Sequence, residues 1–90
     1  MTLFNLGQLV ATPGALAAIE ESGDSLVTYL NRHVTGDWGE LDAHDQKEND
    51  LGISHNLRIL SAYTLSSGVK IWVITEADRS STTALLPEEY

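Results

Sequence analysis

The stretch LRILSAYTLSSGVKIWVIT, residues 57–75, decides the fold. Both halves are rich in β-branched and aromatic residues, which favour β-strands. Between them lie Ser66, Ser67 and Gly68, and glycine readily adopts the left-handed backbone of a tight hairpin turn. The sequence therefore predicts an antiparallel β-hairpin in which Leu65 pairs with Val69.

This register determines which side chains share a face of the hairpin. One face pairs Tyr63 with Ile71, Ser61 with Val73 and Ile59 with Thr75. The other face pairs Thr64 with Lys70, Ala62 with Trp72, Leu60 with Ile74 and Arg58 with Glu76. Both faces are apolar in the middle, so we expect helices over one face and partial cover, such as a second subunit, over the other.

The segments at the two ends of the chain extend this sheet. STTALLP, residues 81–87, predicts a third strand that ends at Pro87, because proline removes a hydrogen-bond donor from the ladder. LFNLGQLVA, residues 3–11, indicates a further strand or an extended segment.

Helices are predicted between these strands. Thr12 is a suitable N-cap for a first helix with Pro13 at its first position, and Gly23 ends that helix. Asp24 or Ser25 caps a second helix, which has an apolar face and closes at Gly36. Its apolar face consists of Leu26, Leu30 and Val34, with Val27 alongside, and His33 is expected to interact with the end of its own helix.

A third helix is expected from Asp42 to about Leu51, with Asp45 in a capping-box position. It has almost no apolar face. We therefore predict a single α+β domain over residues 1–90. In it, two or three N-terminal helices pack on a C-terminal antiparallel β-sheet, a β-meander of about three strands to which the N-terminal strand is an optional addition.

Composition excludes several classes of function. Thirteen acidic residues against five basic ones give a net charge of −8, which repels nucleic-acid phosphates and anionic lipids. We therefore expect no direct nucleic-acid binding. Apolar runs such as residues 71–74 are far too short to span a membrane, and the N-terminus lacks a secretory signal pattern, so the expected location is the cytoplasm.

Acidic residues concentrate in HVTGDWGELDAHDQKEND, residues 33–50. Like charges one helical turn apart destabilise a helix, so a basic partner would offset their repulsion. A solvated helix with an acidic bias is the alternative. The candidate partner-binding residues are Asp37, Glu40, Asp42, Asp45, Glu48 and Asp50, together with Arg79 on a turn after the hairpin.

Histidines add a second hypothesis, a metal site. His33, His44 and His55 stand eleven residues apart, and with the nearby carboxylates they could form a His/carboxylate site. No two of them lie one helical turn apart, as zinc ligands on helices usually do, and His55 is expected in a loop. Neither a nucleophile motif nor a phosphate-binding loop occurs, so we assign no catalytic residue, no metal ligand and no cofactor.

Four residues are assigned structural roles. Gly36 and Gly39 allow a tight turn that directs Trp38 into the core, although an exposed Trp38 could instead be a binding hot spot. Trp72 belongs to the hairpin. Arg79 is expected to clamp a carboxylate, Asp37 or Asp42, or alternatively to form a recognition edge.

Three parts of the sequence, RHVTGDWGELDAHDQKEND, RILSAY and GVKIWVITEADRSSTTALLPEEY, carry a resemblance over residues 6–90. There the chain resembles a family of short hypothetical proteins carried by bacterial plasmids, prophages and other mobile elements. The resemblance implies a bacterial or phage origin and transfers no catalytic residue.

The function expected from these observations is that of a small acidic protein-interaction module. In one form it inhibits a host defence protein that acts on nucleic acids. The alternatives are a small metal-dependent enzyme or metal-binding protein that uses His33 and His44, and a structural homodimer.

Overall fold

A computed structural model describes all 90 residues, and the hairpin forms its centre. Strand β2 spans Ile59–Thr64 and strand β3 spans Lys70–Thr75. Every pair from Ile59–Thr75 to Thr64–Lys70 has the predicted register, and the Leu65 N–H donates to the Val69 carbonyl at 2.8 Å. Arg58 precedes the strand, and its guanidinium donates to the Tyr90 hydroxyl instead of facing Glu76.

Two further strands complete a four-stranded sheet. Strand β4, Ser81–Leu85, pairs antiparallel with β3, which confirms the predicted meander. Strand β1, Gln8–Ala11, pairs with β4 in parallel, so the sheet is mixed and has the order β1-β4-β3-β2. The two edges of the sheet are therefore β1 and β2.

Helix α1 spans Pro13–Ser22 and has the predicted boundaries. The Thr12 side chain accepts from the Ala15 N–H at 3.1 Å, and Gly23 ends the helix with a left-handed φ of +74°. Helix α2 spans Leu26–Val34, with Ser25 at its N-cap but without a side-chain cap. Asp24 is not the cap, because its carboxylate accepts from the Tyr29 hydroxyl and from Ser66 on the hairpin turn.

Helix α3 spans Ala43–His55 and begins as predicted, with the Asp42 side chain accepting from the Asp45 N–H at 2.8 Å. It runs one turn beyond Leu51, because Asn56 adopts a left-handed φ of +54° and serves as its C-cap. His55 is therefore the last helical residue rather than a loop residue. A short 3₁₀ helix, Pro87–Glu89, follows β4.

The helices α1 and α2 cover one face of the sheet, which confirms the α+β architecture. We call this the helix face of the sheet. Its core joins Ile19 of α1 and Tyr29 and Leu30 of α2 to the strands. The buried strand residues of this cluster are Tyr63, Leu65, Ile71 and Val73. On the opposite face Trp72 is half-buried, and its ring meets Tyr90 edge-on at 5.6 Å.

Candidate functional site

A chain of polar side chains lies in the core beneath α2. His33 is fully buried, its Nδ1 lies 2.6 Å from the Ser61 hydroxyl, and its Nε2 lies 2.9 Å from the Thr75 hydroxyl. Thr75 in turn lies 2.7 Å from Thr82, which donates to the Leu6 carbonyl at 2.7 Å. The chain therefore ties α2, three strands and the N-terminal segment together.

The direction of these hydrogen bonds assigns the tautomer of His33. Thr82 uses its only proton on the Leu6 carbonyl, so Thr75 must donate to Thr82 and accept from Nε2–H of His33. Nδ1 then accepts from Ser61. Burial lowers the pKa of His33 from 6.5 to about 4, so the imidazole is neutral at physiological pH.

His33 thus lies in the core and does not interact with the end of its own helix. The sequence contained a signal for this position, because Leu26, Leu30 and His33 follow the spacing of one helix face. The hydroxyls that receive the imidazole, on Ser61 and Thr75, face it from neighbouring strands in the predicted hairpin register.

The turn that contains Trp38 seals the outer edge of β2. Trp38 is 5% exposed, so the alternative of an exposed hot spot is wrong. Its carbonyl accepts from the Ala62 N–H at 3.2 Å, and the Glu40 N–H donates to the Ala62 carbonyl at 2.8 Å. Gly39 lies between them with φ +74°, and a Cβ there would stand 2.0 Å from the Ala62 oxygen.

Asn49 seals the next position of the same edge. Its amide donates to the Leu60 carbonyl at 2.6 Å and accepts from the Leu60 N–H at 3.1 Å. The side chain thus takes the place of a neighbouring strand, and it attaches α3 to the sheet. Unpaired strand edges promote aggregation, and here Leu60 and Ala62, two of the three outward-facing residues of β2, have partners. Asn49 could not be predicted from the sequence, because a polar residue on a polar helix carries no local signal of this contact.

The structure divides the six candidate acids into two groups. Asp37 accepts from Arg32 Nε at 2.7 Å and from the Gly39 N–H at 3.1 Å, and its pKa is lowered mainly by the Arg32 hydrogen bond. Asp50 accepts from the Trp38 indole at 3.3 Å. Both therefore stabilise the turn before α3.

The other four acids point outward. Asp42 caps α3 with one oxygen, and Glu40, Asp45 and Glu48 are exposed. The nearest basic group to this set is the imidazole of His44, 3.7 Å from Glu48, and both side chains are more than half exposed. We call Glu40, Asp42, Asp45 and Glu48 the acidic surface.

Arg79 has a different role from the one expected. Its guanidinium donates to backbone carbonyls and not to Asp37 or Asp42. The contacts run from Nη1 to Leu57 at 2.8 Å, Glu76 at 3.1 Å and Ala77 at 3.1 Å, and from Nη2 to Gly52 at 2.8 Å. Arg79 therefore connects the C-terminal turn of α3 to the turn between β3 and β4.

The sequence hypothesis of a metal site at His33 and His44 is wrong on geometry. Both ring nitrogens of His33 are engaged by hydroxyls in the core, whereas His44 is exposed on α3. No group of three or more His, Asp or Glu side chains is positioned to hold a metal ion.

The remaining surfaces include an open groove of about 600 Å³ beside β1, lined by residues of the N-terminal segment, β1 and α2. None of the helices combines the length and apolar character that crossing a membrane requires. In comparisons with known proteins, no family model, curated protein or solved structure matches this chain.

Proposed function

We propose that this chain is an acidic protein-binding module of a bacterial mobile element, and that the acidic surface binds a basic groove on its partner. The partner class is a host defence protein that acts on nucleic acids, in the cytoplasm. A groove built to hold phosphates presents lysine and arginine side chains, and carboxylates on a helix compete for them. The chain would then act as an inhibitor or modulator.

The exposure of α3 carries this proposal. In this helix of 13 residues, only Asn49 and Gly52 are buried. Ordering a helix that buries so little is opposed by conformational entropy, because most helical stability in proteins comes from a packed apolar face. A helix that forms although it buries so little apolar surface is well suited to present its side chains to a partner.

The attachment of α3 supports the same function. The capped first turn, the Asn49 amide and the Arg79 guanidinium fix the helix at its start, middle and end. A fixed helix loses less entropy on binding than a mobile one, so its charges are already arranged for the partner.

The test is a pull-down from bacterial lysate at low salt, followed by identification of the bound proteins. The variant Asp42→Asn, Asp45→Asn, Glu48→Gln removes three charges from the acidic surface, and asparagine preserves the helix cap. We expect the wild type to recover a basic protein and this variant to lose it. Binding should also weaken steeply as NaCl increases, because salt screens exposed charges.

A matched control removes the same number of charges elsewhere. Glu20→Gln, Glu21→Gln, Glu88→Gln changes three exposed acids that lie outside α3 and the turn before it. This variant should bind like the wild type. Equal binding by the two triple variants, or no specific protein recovered by the wild type at low salt, would refute the proposal.

A further inference from the structure

The two edges of the sheet differ in how they are protected. The β2 edge is sealed by the Trp38 turn and by Asn49, whereas β1 pairs only with β4. At the start of β1 the Gln8 N–H donates to the Ser80 carbonyl, and just after the strand the Thr12 N–H donates to the Ala84 carbonyl, so both groups point toward β4. Because backbone groups alternate in direction along a strand, those of Leu9 and Ala11 face outward from the sheet.

This open edge is apolar on both of its sides. Leu9 is 54% exposed on the helix face, beside the groove lined by Phe4, Leu6 and Val34. Val10 is 43% exposed on the opposite face. Edge strands of monomeric proteins usually carry charges, prolines or bulges that prevent pairing, and Gln8–Ala11 has none of these.

Charge indicates which partner fits this edge. Residues 1–19 contain no Asp, Glu, Lys, Arg or His, and this is the longest stretch of the chain without one, although the net charge is −8. Two copies of such an acidic protein repel each other on approach unless they meet through an uncharged surface. The side chains of β1 itself are all uncharged, and the Glu89 carboxylate beside the end of the strand is already engaged by the Thr12 hydroxyl at 2.6 Å, so the strand offers a second copy an approach with little repulsion.

We infer that β1 is a homodimer interface at which a second copy pairs its own β1 antiparallel to the first. A two-fold axis at Val10 places Leu9 of each copy opposite Ala11 of the other. The outward-facing N–H and C=O groups of each such pair then form two hydrogen bonds between the copies. Val10 faces its own counterpart. The product is one continuous sheet with the β2 strands at its ends.

The sealed β2 edges explain why this assembly closes as a dimer. After pairing, Thr64 beside the hairpin turn is the one outward-facing residue of β2 without a partner, which is too short an edge for the sheet to grow into a fibre. Pro13 limits the paired segment on one side, because it has no N–H to donate. The interface is independent of the acidic surface and is separate from the proposed function.

The test compares Val10→Lys with Val69→Lys. These valines are 43% and 42% exposed, so the two variants add the same charge at equally exposed sites, one in the interface and one beside the hairpin turn. Val10→Lys places two ammonium groups opposite each other, and we expect a monomer by light scattering, while the wild type and Val69→Lys are dimers. Circular dichroism checks the fold of both variants.

Ala11→Pro and hydrogen exchange of the wild type test the same interface without depending on the folding of Val10→Lys. Ala11→Pro removes one outward-facing N–H without removing a bond to β4, and it should also give a monomer. In the wild type, the Leu9 and Ala11 amides should exchange hydrogen more slowly as protein concentration increases. A wild type that is monomeric at every concentration, or a dimer in which these amides exchange freely, would overturn the inference.

Discussion

His33 makes the stability of the protein depend on pH. Its pKa is about 4 in the folded chain and near 6.5 when unfolded, so the unfolded state gains a proton first as pH falls. The full contribution of the neutral imidazole is therefore present above pH 6.5 and is lost as pH falls toward 4. At about 1.4 kcal/mol per pKa unit, we expect the free energy of unfolding to fall by roughly 3 kcal/mol over this range. Urea denaturation at a series of pH values measures this loss.

The control for this prediction is His33→Gln, which keeps one donor for Thr75 and one acceptor for Ser61 without a group that titrates. The carboxylates titrate in both proteins, so the difference between the two pH profiles isolates the imidazole. A wild-type profile parallel to that of the variant between pH 6.5 and 4 would show that His33 is not a buried neutral group.

Gly39 is a second residue whose replacement has a defined expected result. Gly39 and Gly23 share a φ of +74°, but a Cβ meets the Ala62 oxygen at 2.0 Å in the first case and nothing within 4 Å in the second. Gly23→Ala should cost about 1 kcal/mol for the left-handed backbone alone. Gly39→Ala should cost about 2 kcal/mol more, because the Trp38 turn must leave the β2 edge. Equal losses in chemical denaturation would argue against a close contact at this edge.

At the scale of the element, the side-chain amide of Asn49 attaches the middle of α3 to the sheet. Asn49→Ala leaves the N–H and C=O of Leu60 without partners, and we expect a loss of about 2 kcal/mol, since each such group costs about 1–3 kcal/mol when buried and Leu60 is half-buried. Amides of α3 should then exchange hydrogen faster than those of α1. Lys47→Ala, at an exposed position of the same helix, is the control and should change neither quantity. Unchanged exchange in Asn49→Ala would mean that other contacts hold the helix.

The elements that could be predicted from the sequence are those determined by nearby residues. The hairpin register follows from alternation on both sides of Ser66–Gly68, and the starts of α1 and α3 follow from side chains three residues or fewer from the caps. The parallel pairing of β1 with β4 joins residues more than 70 positions apart and leaves no local pattern.

In the candidate site too, features set by nearby residues could be predicted, and features set by distant contacts could not. The sequence identified the acids, but it could not separate Asp37 and Asp50, which stabilise the turn, from the four of the acidic surface. The separation depends on where Arg32 and Trp38 lie in three dimensions. Arg79 was expected to bind a carboxylate because of its charge. It binds carbonyls because Gly52 and Leu57, at the end of α3, and Glu76 and Ala77, in its own turn, present them together, which only the folded chain reveals.

At the scale of the whole molecule, the charge of −8 opposes both folding and self-association. NaCl should therefore strengthen the inferred dimer but weaken binding of a basic partner, and these opposite signs distinguish the two surfaces. In the Val10→Lys monomer, where dimerisation cannot raise the melting temperature, NaCl should increase that temperature by a few degrees as repulsion between carboxylates is screened. The Arg32–Asp37 pair opposes this trend, but it is partly exposed and worth at most about 1 kcal/mol. A melting temperature that falls with NaCl would show that attractive ion pairs outweigh the repulsion.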